Sequence, residues 1–261
     1  MRPQHHHLSA FSLIEISVVV VVIGLVIGGI VLGGSMSSSV ELQTMAADKE
    51  KYVSAIKQFR DKYSGLPGDL YNATSYWPED TTGTDKWGDS TGSTVENGNG
   101  NGKIAAAVGT DGYESHRAWR QLALAGLIDG EYNGEYESSG TVTVTPGVRV
   151  PKATYGKGLL GWHVYYVGSK SSDSTFFDGQ YDHILYAGEG SYAANSTDKG
   201  GMVGDDIASL DHKLDDGSPV TGHVRSGKDG GSFGGGCTAG DVYVVSTALV
   251  DCTPIFLTGI H

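Results

Sequence analysis

The first apolar run of the chain reads FSLIEISVVVVVIGLVIGGIVLGGSM, residues 11–36, and no residue from Ile16 to Val40 is charged. Roughly 20 consecutive apolar residues cross a bilayer as a helix, so this run predicts a membrane-spanning helix. A secretory h-region is shorter and ends at a small-x-small cleavage site. No such site follows here, so the segment is expected to be retained. After the patch Ser35 to Ser39 the pattern changes: Leu42, Met45, Tyr52, Ile56, Phe59 and Tyr63 recur at helical spacing. Glu50, Lys51, Lys57, Arg60 and Asp61 fall off that face. This second stretch is an amphipathic helix, and a sheet from the rest of the chain is the natural surface to cover its stripe. Gly65 and Pro67 end it.

Beyond residue 64 the apolar pattern is short and broken. Residues 114 to 125 predict a helix with Ala118, Trp119, Leu122 and Ala125 inward and Gly126 as its stop. Residues 205 to 216 predict another, with Ile207, Leu210 and Leu214 inward and Gly217 as its cap. β-Branched and aromatic enrichment marks strands at Thr141 to Thr145, Trp162 to Val167, Asp182 to Tyr186, Val220 to Arg225 and Asp241 to Thr247. Short strands with turn-rich links and no βαβ rhythm predict an antiparallel sheet and the α+β class.

Composition sharpens this outline. Glycine accounts for 40 of 261 residues, about twice ordinary usage, so much of the chain is loop. The formal net charge is -12. Phosphate recognition needs a basic face, so no nucleic-acid partner is expected. Arg2 and the free amine favour a cytoplasmic N-terminus, which would place everything after the apolar helix on the far side of the inner membrane.

Glu15 stands inside the apolar run. A carboxylate near membrane depth is costly unless paired and is usually functional. The plainer reading is a glutamate at a helix start, stabilised by the helix dipole. The string Ala10-Phe11-Ser12-Leu13-Ile14-Glu15, followed by the long apolar run, resembles the class III signal of type IV pilins and type II secretion pseudopilins. Ala10 departs from the glycine usual in that family. The resemblance implies a leader, residues 1–10, cut off by a prepilin peptidase, with N-methylation of Phe11. It implies an N-terminal helix over residues 11–63, a periplasmic or extracellular head over residues 64–261, and a pilin-like fold in which that helix packs on the sheet. It also implies assembly by a platform protein and an ATPase. A buried Glu15 then needs a cation, and the new Phe11 amine of a neighbouring copy supplies one. A head-to-tail contact that does not close generates a helical filament. Gly24, Gly28, Gly29, Gly33 and Gly34 would let such helices approach closely, though they equally suit a flexible anchor.

Tyr63 to Asp69 and two islands of the head, Glu114 to Ile128 and Ile207 to Pro219, share the resemblance. In an exported domain Cys237 and Cys252 most simply form one disulfide, as the C-terminal loop of such pilins does, and two free thiols are the alternative. Closing that loop would stabilise by roughly 3 kcal/mol.

The stretch Asn97-Gly98-Asn99-Gly100-Asn101-Gly102-Lys103-Ile104 has oxygen donors at alternate positions, a glycine for a sharp turn, then the Lys103 carbonyl and an apolar residue. That is the first half of a calcium loop. Val108 stands where a bidentate glutamate belongs, so Asp111 and Glu114 are the nearest carboxylates to close the shell. The alternative is a solvated Asn-Gly turn cluster. Asp205, Asp206, Asp211, Asp215 and Asp216 read as a solvated helix face. Histidines 116, 163, 183, 212 and 223 show no metal-binding spacing. There is no nucleophile elbow, P-loop or Rossmann fingerprint, so no catalytic residue is expected. The expected function is a structural filament subunit. A minor tip subunit that binds a surface or an exported substrate through its head is the alternative.

Overall fold

A 51-residue helix, α1 (Leu13–Tyr63), opens the structure, a computed structural model. The structure describes residues 12–77, 97–105, 114–134, 144–156, 160–190, 199–228, 233, 235–246 and 250–261, with the backbone alone for residues 29–37. The chain divides into two units, Met1–Val40 and Glu41–His261.

In the second unit, α1 contributes Leu42, Met45, Tyr52, Val53, Ala55, Ile56 and Phe59 to the core. The predicted stripe is therefore buried, except that Tyr63 is only half-buried at its end. Basic residues Arg60 and Lys62 lie in the last turn, where they complement the helix dipole. Among the described residues α1 is followed by a short 3-10 turn (Ala73–Ser75) and helix α2 (Glu114–Leu124), and the first described strand begins at Leu160.

Strands β1 (Leu160–Tyr166), β2 (Ser169–Lys170), β3 (Gly179–Gln180) and β4 (His183–Glu189) come next. They are followed by β5 (Met202–Val203), helix α3 (Gly204–Leu214), β6 (Val224–Arg225), β7 (Thr238–Ala239), β8 (Val242–Tyr243), β9 (Val250–Cys252) and β10 (Ile255–Leu257). The main sheet has the order β1-β4-β10-β6, and every pair in it is antiparallel. The ladders β2-β3, β5-β9 and β7-β8 are separate two-stranded pieces.

The sheet is buried on both faces. Trp162, Val164, Leu185, Ala187, Val224 and Phe256 join the larger core, where Tyr52 of α1 meets Trp119 of α2 and Trp162 edge-on at 5.1 and 5.7 Å between ring centroids. The opposite face carries Ile184, Tyr186 and Ile255, covered by Phe176, Tyr181 and Phe233. Alternation along a strand sends neighbours to opposite faces, which is why Leu185 and Tyr186 serve different clusters.

Two expectations are corrected. Among the described residues no helix is long and apolar enough to cross a membrane. A single pass through the inner membrane with a periplasmic head is therefore not supported. The pilin-like layout is not met either: the fold is mixed α+β with several small antiparallel sheets, and the long helix does not lead into a sheet head.

Smaller differences have local causes. Leu214, expected inward, is 45% exposed because α3 ends there. Gly126 does stop its helix, at φ +70, backbone that favours glycine, whereas α3 is capped by Asp215 and Gly217, at φ +76, lies two residues beyond that cap. Val144 and Thr145 form no strand, and the remainder of that predicted strand lies outside the described residues.

Candidate functional site

The start of α1 is apolar on every side. Leu13, Ile14, Ile16, Val18 to Ile23 and Leu25 to Ile27 are all more than half exposed, Leu13 most at 88%. Nothing lies within 4 Å of a Cβ built on Gly24 or Gly28. A helix that is apolar all round is a helix meant to be covered.

Glu15 sits in the first turn of this segment, and its Oε2 accepts the backbone N–H of Ser12 at 2.9 Å. Ser12 to Glu15 has the spacing of a capping box, in which the third-position acid reaches back to the cap residue. The Ser12 carbonyl in turn accepts the N–H groups of Glu15 and Ile16. Within one chain, then, Glu15 has the plainer role of helix-start acceptor, yet it remains exposed. The predicted processing residues Ala10 and Phe11 lie outside the described residues.

The Asn-Gly loop is built differently from the expectation. Its backbone wraps two buried carboxylates, Asp69 and Glu114, each 2% exposed. Asp69 Oδ1 accepts the Asn101 N–H at 3.0 Å and Oδ2 the Gly102 N–H at 2.8 Å. Glu114 accepts from Asn99 N–H at 3.2 Å and from Ala105 N–H at 2.9 Å. Burial pushes the Asp69 carboxyl up from its ordinary range, while the N–H groups of Gly102, Asn101, Gly100 and Lys103 pull it back.

The asparagine carbonyls are engaged as well. Asn97 Oδ1 accepts from the Thr74 N–H at 3.0 Å and from its hydroxyl at 3.2 Å. Asn99 Oδ1 takes the Asn101 N–H at 3.0 Å, and Asn101 Oδ1 takes the Lys103 N–H at 2.9 Å. These are side-chain turns of the kind asparagine favours. Lys103 Nζ lies over the Tyr166 ring, 4.8 Å from its centroid. Gly98 is required by close approach, since a Cβ there would fall 2.3 Å from the Asp69 carbonyl carbon.

The expected calcium set is therefore brought together only in part. Glu114 does reach the loop, but through backbone N–H groups; Asp111 lies outside the described residues. Asp69, which the loop encloses most fully, was missed. Its signal was the string Pro67-Gly68-Asp69, an acid placed directly after a helix-ending turn. Gly68 explains that string: at φ +83 it lies against the Glu114 carbonyl oxygen, 2.0 Å from where a Cβ would stand. Its N–H donates to Gln121 Oε1 at 2.7 Å. The turn after α1, the Asn-Gly loop and the start of α2 thus form one interlocked unit.

Cys237 and Cys252 form a disulfide, with both residues buried and their Cα atoms 5.1 Å apart. The bridge joins the start of β7 to the end of β9. Among the described residues, the carboxylates of Asp211, Asp215 and Asp216 are the group whose oxygens converge closely enough for a shared ion. Those oxygens already accept bonds: Asp211 from the Gly217 N–H and the Tyr243 hydroxyl, Asp215 from the Val224 N–H, and Asp216 from the Ser218 N–H and the Thr221 hydroxyl. Burial pushes Asp211 up to about 6. It is also buried on α3, where a solvated acidic face was expected.

Compared with protein-family models, with curated proteins and with solved structures, the chain matches none.

Proposed function

We propose that this chain is a structural subunit that polymerises through the start of α1, as subunits of the type IV pilus and type II secretion pseudopilus do. The observation that carries the reading is the exposed apolar surface of α1 up to Ile27, interrupted near its start by Glu15 and Ser17. At about 25 cal/mol per Å², surface of this kind is a strong drive to association. The cover proposed is the same segment of neighbouring copies, or of related subunits. The open faces at Gly24 and Gly28 suit close helix approach.

In this reading a prepilin peptidase trims the chain between Ala10 and Phe11, and a platform protein with its ATPase drives assembly. The new Phe11 amine pairs with Glu15 of the adjoining copy. Glu15 supports this by being exposed and, among the described residues, bonded to the backbone N–H of its own helix start. Once neighbours cover the segment, an unpaired carboxylate there would be strongly unfavourable, which makes the pair a register mark.

The test is co-expression with a prepilin peptidase, followed by mass spectrometry of the N-terminus and sedimentation of polymer. A start at N-methyl-Phe11 is expected, with polymer lost in Glu15→Ala while the fold of residues 41–261 persists. Undiminished polymer in Glu15→Ala would sink the reading.

A further inference from the structure

His183 begins β4 and is fully buried. Its ring is bonded at both nitrogens. Nδ1 lies 3.0 Å from the carbonyl oxygen of Ile260, and Nε2 accepts the backbone N–H of Ile104 at 3.0 Å. A carbonyl only accepts, so Nδ1 carries the proton; an amide N–H only donates, so Nε2 is a bare lone pair. The two partners together require a neutral ring in one tautomer. They are distant in sequence, 79 and 77 residues away. Ile104 is itself fully buried at the end of the Asn-Gly loop, and its carbonyl accepts the Tyr166 N–H at 2.8 Å. One imidazole on a central strand thus ties down both that loop and the C-terminal segment.

We propose that His183 is an acid-sensitive latch: the neutral ring holds the Ile104 end of loop 97–105 to the sheet, and protonation at Nε2 releases that end. A proton on Nε2 sets two N–H groups against each other, while the Nδ1 bond to Ile260 survives. Asp69 and Glu114 keep their own bonds to the loop, Glu114 to the Ala105 N–H, so the motion is confined to the Ile104 peptide N–H.

The groups facing the ring come from four places. Asp182 precedes it, Arg60 reaches it from α1, His261 from the C-terminus, and the Tyr166 ring of β1 packs 5.2 Å away. Burial holds the ring's proton affinity below the ordinary histidine value. The Ile260 carbonyl and Asp182 oppose that effect, and Arg60 and His261 add to it. The sign follows: the latch is closed above about pH 6.5, the unperturbed value, and opens as pH falls below it. The latch is independent of the assembly reading, because every group in it belongs to residues 41–261.

The experiment uses the 15N-labelled full chain in detergent micelles. At pH 7.5 a scalar coupling across the N–H···N bond between Ile104 and His183 Nε2 is expected. On acidification the coupling disappears and Ile104 amide exchange, corrected for its intrinsic pH dependence, accelerates at least tenfold while the Trp119 indole signal stays native. His183→Gln, neutral at every pH, removes that step. Should it fail to fold, Asp182→Asn removes the carboxylate that favours the charged ring and moves the midpoint to lower pH. Absence of the coupling at pH 7.5, its persistence until Trp119 reports global unfolding, or a midpoint unmoved in Asp182→Asn would each overturn the proposal.

Discussion

The two ends of α1 make opposite uses of one helical geometry. From Leu42 to Phe59 the apolar residues recur on one stripe, and Met45, Ile56 and Phe59 are 0% exposed in the core of residues 41–261. From Leu13 to Ile27 they occupy every position around the axis, and all remain more than half exposed. A stripe is satisfied by one packed surface, whereas an all-round apolar helix needs neighbours on several sides. The difference separates what the chain covers by itself from what it leaves exposed.

The comparison breaks hardest at the packed end. Trp119 is fully buried on α2 and meets Tyr52 of α1 edge-on. Trp119→Ala should destabilise residues 41–261 by about 3–5 kcal/mol, as truncation of a buried aromatic does, read by denaturant unfolding of the full chain. A loss under 1 kcal/mol would mean that α1 is not held there by this contact. Reduction of Cys237–Cys252, which closes a separation of 15 residues, should cost about 3 kcal/mol, seen as a lower Tm with reductant present. The smallest effect is expected at the exposed end: Val21→Ser should change unfolding of residues 41–261 by less than ~0.5 kcal/mol while weakening sedimentable polymer. A large stability loss from Val21→Ser would erase the distinction between the two halves.

Much of the architecture was legible because its signals are local. The stripe from Leu42 to Phe59 has helical period, Gly126 stops its helix by adopting backbone that other residues avoid, and α2 follows its own pattern of Ala118, Trp119 and Leu122. The long strands β1 and β4 were visible as aromatic and β-branched runs. The two-residue strands were not: β5 exists because Met202 lies beside Cys252, and β7 because Thr238 lies beside Tyr243. Two residues carry no period of their own. The Asn-Gly loop shows the same limit, since its donors were evident in order while the two carboxylates that it encloses lie on either side of it in sequence.

The amino-acid order alone established the α+β class, the helical spans and an apolar N-terminal segment carrying one acid, because each follows from neighbours a few residues apart. The tertiary structure alone decided that Asp69 and Glu114 accept the backbone N–H groups of the Asn-Gly loop, and that His183 bonds Ile104 and Ile260. Those arrangements depend on which distant backbone groups come within 3 Å of a side chain, and only the folded chain brings them there.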